Sequence, residues 1–175
     1  FFTLGILQII LGLSMIAPIL TQFFYDEFDS SFISSGIVTV IFGILFLLSN
    51  LDHDKKISLP QAFLLTALSW LSIAIFGSLP FIFSEINLSA TDAFFESMSG
   101  ITTTGSTIIT NLNETPKSIL LWRGMLQWLG GIGIIVMAIT LMPLMNIGGM
   151  QLFIISTSDT PEKILPRSKE IALRL

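Results

Sequence analysis

The stretch FFESMSGITTTGSTIIT, Phe94 to Thr110, decides the fold, because it carries three consecutive threonines followed by Gly105, Ser106 and Thr107. It lies between two long apolar runs, so many hydroxyl groups stand in a hydrophobic part of the chain. One interpretation is an ordinary extracellular loop, in which serine and threonine are common. The other is a segment that enters the membrane and returns, since non-helical backbone at membrane depth must be buried in protein or line a watery cavity.

The composition is that of an integral membrane protein. Hydrophobic residues make up 52% of the chain, charged residues only 11%, and the mean hydropathy is +0.84, whereas about 25% of the residues in a soluble domain are charged. Four runs are long enough to cross a bilayer, which takes about 17–25 residues: 1–24, 32–48, 58–83 and 118–144. The chain begins at Phe1 rather than methionine, so we expect a fragment of a longer polypeptide and no cleaved signal peptide.

The basic residues predict the orientation. With four spans, the loop 52–58 and the C-terminal tail share one side, which holds six of the eight lysines and arginines; the other side holds seven of the twelve acids. The positive-inside rule places the basic side in the cytoplasm, namely Lys55, Lys56, Lys163, Arg167, Lys169 and Arg174. The threonine-rich segment is then expected on the outer side of the cytoplasmic (inner) membrane.

A short helix is predicted over Ala90–Ser99, with Ser89 as its N-cap, Asp92 at the capping-box position and Gly100 as its stop. Such a helix is about 15 Å long, about half the thickness of a hydrocarbon core, so it can enter the bilayer but cannot cross it. Its C-terminal carbonyls form the negative end of the helix dipole, which attracts cations.

The threonines are expected to follow as an extended strand that returns to the outer side. Its backbone carbonyls can then replace the hydration shell of a cation, as in potassium filters, and Gly105 supplies a conformation that a side chain would obstruct. The predicted fold class is therefore all-α integral membrane, with two N-terminal transmembrane helices and one potassium-channel-like helix–pore loop–helix repeat with a re-entrant half-helix. The predicted divisions are the helix pair, the repeat, and a cytoplasmic linker with the start of the next repeat: residues 1–57, 58–145 and 146–175.

Other residues near the threonine run have expected structural roles. Glu96 is expected to accept hydrogen bonds from backbone N–H groups of the returning segment, because a carboxylate at membrane depth needs partners; the alternative is that Asp92 and Glu96 attract cations to the outer mouth. Arg123 is expected to extend to the membrane interface, with pairing to acids at the pore mouth as the alternative. Trp122 and Trp128 are expected to be interface anchors and packing residues. The glycines of Gly130–Gly133 are expected to permit close packing rather than to bind a nucleotide.

Four ordered motifs resemble the membrane subunit of Trk-type potassium uptake systems, the TrkH family of the Trk/Ktr/HKT superfamily. They are DAFFESMSGITTTGSTI, LLWRGMLQWLGGIGIIVMAITLMPL, GGMQLF and SDTPEKILPR. The resemblance covers 90–167, and the first two spans match only in hydropathy. It implies four helix–pore–helix repeats around one pore, with one glycine in each filter strand, of which this chain would hold the first repeat.

Carried over by position, the resemblance implies that potassium is bound mainly by the backbone carbonyls of Thr103 and Thr104, with Thr102 and Gly105 beside them. It also implies a homodimer and a cytoplasmic nucleotide-binding regulatory subunit similar to TrkA. The lipid bilayer is the expected surrounding, and no nucleic-acid partner is expected. Whether transport is channel-like or coupled to protons or sodium stays open, and the preference for potassium over sodium depends on the resemblance.

Two alternatives to this function are a tetrameric cation channel with one repeat per chain and a non-conducting membrane scaffold. The TVGYG sequence of tetrameric potassium channels is absent from the chain. Catalysis is not expected, because the sequence has no cysteine, a single histidine (His53) and no evident nucleophile–base pair.

Overall fold

The computed structural model describes residues 2–49 and 59–141, and within these ranges every regular element is an α-helix. The helices are α1 (Phe2–Ser14), α2 (Ile16–Tyr25), α3 (Ser31–Leu48), α4 (Leu59–Phe83), α5 (Ala90–Ile101) and α6 (Lys117–Leu141). The described residues up to Gly130 belong to one compact unit; of a second unit, which begins at Gly131, only the end of α6 is described. The predicted start of the third span at residue 58, the end of the fourth span at 142–144 and the tail 146–175 lie outside the described residues.

Within the described ranges, four segments are long and apolar enough to cross a membrane: Phe2–Tyr25, Ser31–Leu48, Pro60–Phe83 and Lys117–Ile139. The predicted all-α membrane fold is confirmed. The first segment consists of two helices, α1 and α2, which meet at the buried residue Met15. Pro18 causes this break, because proline has no N–H to donate to the carbonyl of Ser14 one turn earlier.

Glycines bring the backbones of α1 and α3 close together, as small residues do between membrane helices. A Cβ atom on Gly5 of α1 would lie 2.7 Å from the carbonyl oxygen of Gly43 on α3. A Cβ atom on Gly12 would lie 2.6 Å from the Cγ2 atom of Val40. The two helices therefore pack along their length at a distance that only glycine allows.

The core that positions α6 is built around Trp122, which is fully buried. Its Nε1–H donates to the carbonyl of Gly77 on α4 at 2.9 Å, and its ring lies edge-on to Phe32 of α3, with centroids 6.1 Å apart. Trp122 is thus a packing residue, whereas Trp128 is 64% exposed. Pro80 lies inside α4, which continues to Phe83.

Gly5→Ala should destabilise the intact protein, and Gly36→Ala should not. At position 5 the methyl group would meet backbone atoms, and overpacking of this kind costs about 1–3 kcal/mol. At Gly36 the nearest atom would lie at an ordinary contact distance of 3.5 Å. Thermal unfolding of the purified protein in detergent measures the difference, and equal midpoints for the two variants would contradict the close packing of α1 and α3.

Candidate functional site

The short helix α5 begins as the sequence predicts and ends later. The Ser89 hydroxyl accepts a hydrogen bond from the Asp92 N–H at 3.2 Å, which confirms the N-cap. The helix has 12 residues, or about 18 Å, and it continues through Gly100 to Ile101. The prediction that Gly100 stops the helix is therefore wrong. Gly100 serves packing instead, because a Cβ atom there would lie 3.1 Å from the Cβ atom of Leu126 on α6.

The threonines form the C-terminal cap of α5. The Thr103 N–H donates to the Gly100 carbonyl at 2.9 Å and the Thr104 N–H donates to the Ser99 carbonyl at 3.0 Å. These two bonds are those of a Schellman motif, in which the residue after the cap adopts a left-handed conformation. Here that residue is Thr103, with φ 58°. The prediction of an extended strand of three threonines is corrected, because Thr102 and Thr103 belong to the cap and residues 104–109 form no regular element.

A left-handed β-branched residue is conformationally strained. Glycine usually occupies this position, and a side chain there costs about 1–2 kcal/mol. The Thr102 hydroxyl donates to the Met98 carbonyl at 2.8 Å and lies 2.8 Å from the Thr104 hydroxyl, so the threonine side chains support the turn. Gly105 is also left-handed, with φ 78°, as the sequence prediction of a permissive glycine requires.

The carbonyl oxygens of residues 102–105 have no hydrogen-bond donor among the described residues. Earlier in the cap, the carbonyls of Ser99 and Gly100 accept N–H groups, and the Ile101 carbonyl oxygen packs against Gly130 of α6. After the run, the Ser106 carbonyl accepts the Ser99 hydroxyl at 2.6 Å. Thr102, Thr104 and Gly105 are exposed. Within 2–49 and 59–141, no group of three or more histidines or acids is placed to hold a metal ion, so the oxygens available here are backbone and hydroxyl oxygens.

Glu96 connects α5 to the returning segment. Its side chain is fully buried, and its Oε2 atom accepts the Ile108 N–H at 3.0 Å and the Thr107 hydroxyl at 3.1 Å. The expectation that Glu96 bonds to backbone N–H of the returning segment is confirmed at Ile108. The other carboxylate oxygen, Oε1, forms an ion pair with the Nε atom of Arg123 on α6.

Arg123 pairs with Glu96, which is the alternative that the sequence offered to extension toward the membrane interface. The Arg123 side chain is only 21% exposed and its Nε–H points to Glu96. A buried carboxylate without a counter-charge is costly, so pairing prevails over exposure of the guanidinium. The available signal in the sequence was that Arg123 is the single basic residue near the interior of a predicted span.

Glycines on the two neighbouring helices, α4 and α6, allow α5 to pack closely against them. A Cβ atom on Gly130 of α6 would clash with the carbonyl oxygen of Ile101, and one on Gly77 of α4 would lie 2.7 Å from the Ser97 hydroxyl oxygen. The close-packing role predicted for the glycines that begin at Gly130 is confirmed at that position. The short helix is therefore held at its C-terminal end by contacts that larger residues would prevent.

These features define a multi-pass helical membrane protein in which a short helix and a non-helical return stand between two helices of spanning length. The chain belongs to the TrkH family: the family model described as TrkH, cation transport protein, matches residues 29–163.

Similar proteins cover nearly all of this chain. The Trk system potassium uptake protein TrkI of Halomonas elongata is 40% identical over 172 residues, which are 97% of this chain and 35% of that protein. TrkH of Escherichia coli strain K12 is 41% identical over 178 residues, covering 98% of this chain and 36% of that protein. The crystal structure of the potassium transporter TrkH from Vibrio parahaemolyticus matches with a TM-score of 0.80 and 37% identity, over 95% of this chain and 34% of that one. This chain thus spans about a third of the length of these relatives.

Thr103→Gly should stabilise the protein and Thr104→Gly should not. At Thr103 glycine relieves the left-handed strain, a gain of about 1 kcal/mol. At Thr104, where φ is not positive, glycine only adds freedom to the unfolded chain, a loss of about 0.4–1 kcal/mol. Thermal unfolding of the two variants measures the contrast, and equal shifts of the same sign would contradict the cap geometry.

Removing one partner of the Glu96–Arg123 pair should lower the free energy of unfolding more than removing both partners. Arg123→Met leaves a buried carboxylate without its counter-charge, a loss of about 3 kcal/mol. The double variant Glu96→Gln/Arg123→Met should recover part of that loss, because no charge is left unpaired. A double-mutant cycle on the unfolding free energy tests this, with Asp92→Asn on the same helix as the control. Additive effects would show that the pair is not coupled.

Proposed function

We propose that this chain supplies the first pore loop of a potassium uptake subunit, in which the ion passes a constriction lined by backbone carbonyls. The observation that carries the proposal is the run of four carbonyl oxygens at 102–105 without a hydrogen-bond donor among the described residues. They follow directly on the C-terminal end of α5. The names of the relatives, Trk system potassium uptake proteins, support potassium as the ion.

The physical chemistry of this arrangement favours a monovalent cation. The C-terminal end of a helix carries about half a negative charge, which stabilises a cation close to it. Carbonyl oxygens can replace the water molecules that the ion loses on entry. The principal ligands in this proposal are the carbonyls of Thr103 and Thr104, with those of Thr102 and Gly105 beside them. One loop supplies only part of the coordination, and three further repeats of the intact protein complete it.

The wider assignment follows from the same proposal. The loop faces the outer side of the cytoplasmic (inner) membrane, with the basic segments in the cytoplasm. In this proposal the chain consists of three parts: a helix pair (1–57), the first repeat (58–145) and a linker to the next repeat (146–175). The intact subunit is a homodimer that binds a cytoplasmic nucleotide-binding partner similar to TrkA.

Gly105→Asp should abolish potassium uptake by the intact protein. Gly105 has a φ of 78°, which strains any side chain, and a carboxylate there would bind the passing ion too strongly. We expect rubidium uptake into proteoliposomes to fall more than about tenfold, the factor that ~1.4 kcal/mol produces. Gly36→Ala is the matched glycine control outside the loop. Uptake at the level of that control would overturn the assignment of the filter.

A further inference from the structure

The loop between α2 and α3 holds the start of α6. The Oε2 atom of Glu27 accepts the N–H of Lys117, the first residue of α6, at 2.8 Å, across 90 positions of sequence. The first N–H groups of a helix have no partner within it, and a carboxylate at that end is favoured by the helix dipole. Glu27, in the loop that joins the two spans of the N-terminal helix pair, thus caps α6, a helix of the repeat.

A second contact holds α6 beside the same helix pair. The rings of Phe32 on α3 and Trp122 on α6 are fully buried and pack edge-to-face, with an interplanar angle of 79°. This apolar contact fixes the lateral position of α6. An edge-to-face contact can slide along a helix axis, whereas hydrogen bonds resist such sliding. Trp122 makes one to the Gly77 carbonyl, and the hydrogen bond from Lys117 to Glu27 adds another at the very start of α6.

One side chain of α6 connects this helix, through Glu96, to the returning segment. Arg123 lies six residues after Lys117, about 9 Å further along the helix axis. It forms an ion pair with Glu96, which accepts the Ile108 N–H just after the proposed filter. A continuous series of polar contacts and one helix segment therefore leads from Glu27 to the backbone of the pore loop.

We propose that Glu27 is a positioning residue for the filter, and that the N-terminal helix pair sets the conformation of the pore loop through α6. Loss of the Glu27 carboxylate frees the start of α6, shifts Arg123 relative to Glu96 and loosens the segment 104–109. Only the transport measurement below rests on the proposed function; the structural measurement does not.

The competing explanation is a general charge effect. Glu27 lines a cavity of about 280 Å³ that other acids share, namely Asp26, Asp29, Glu85 and Glu114. If these acids acted only by attracting cations, the removal of any one carboxylate would have a similar effect. Asp26 is adjacent to Glu27 and has no hydrogen bond from its side chain among the described residues, so it provides the matched control.

The test compares three variants of the intact protein: Glu27→Ala removes the acceptor and the charge, Glu27→Gln keeps an acceptor oxygen, and Asp26→Asn removes only the neighbouring charge. Hydrogen–deuterium exchange of the peptide covering 102–110 is measured in detergent, and potassium and sodium uptake in proteoliposomes. For Glu27→Ala we expect faster exchange and a fall of about fivefold in the potassium-to-sodium ratio, which corresponds to about 1 kcal/mol. Glu27→Gln should be intermediate, and Asp26→Asn should match the unmodified protein.

Two results would overturn the proposal: exchange and ion ratio unchanged in Glu27→Ala, or the same changes in Asp26→Asn as in Glu27→Ala. If Glu27→Ala does not assemble, the comparison of Glu27→Gln with Asp26→Asn decides in the same way. If the unmodified protein takes up no potassium, the proposed function fails, and the exchange data alone decide whether Glu27 positions the loop.

Discussion

The buried carboxylate of Glu96 is the constraint on which the returning segment after α5 depends. A charge removed from water must have its lone pairs occupied and its charge balanced, and the required donors come from two segments outside α5. Arg123 supplies the counter-charge from α6, while Thr107 and Ile108 donate from the returning segment. Satisfying one side chain therefore fixes a helix, a loop and a second helix relative to each other.

At the end of α5, the backbone turns in a way that leaves the carbonyl oxygens of residues 102–105 without hydrogen-bond donors among the described residues. The Schellman cap bonds the carbonyls of Ser99 and Gly100 and turns the chain at Thr103, after which the backbone runs without regular pairing. Strained backbone persists only where the surrounding structure holds it. Here the holding groups are Glu96 on one side of the loop and, through packing against Ile101, Gly130 on the other.

The N-terminal helix pair is part of the same support. It packs on α4 as well as contacting α6 through Phe32 and Glu27. Membrane helices gain little from burying apolar surface against each other, since lipid is equally apolar, so close glycine contacts and a few polar bonds determine their arrangement. This explains why the contacts that define the repeat are few and specific.

The sequence alone determined the features that depend on local pattern. Apolar run length fixed the four spans, the Ser89–Asp92 spacing fixed the start of α5, and the burial expected for Glu96 required bonds to backbone N–H groups. Tertiary structure alone decided that Arg123 pairs with Glu96. It also decided that Thr103, and not Gly100, takes the left-handed position. The cap that Glu27 provides for α6 is the third such feature. Each of these depends on which distant residues come within hydrogen-bond distance or packing contact. Helix periodicity and capping signals cover only about one or two turns of chain, so they carry no information about such distances.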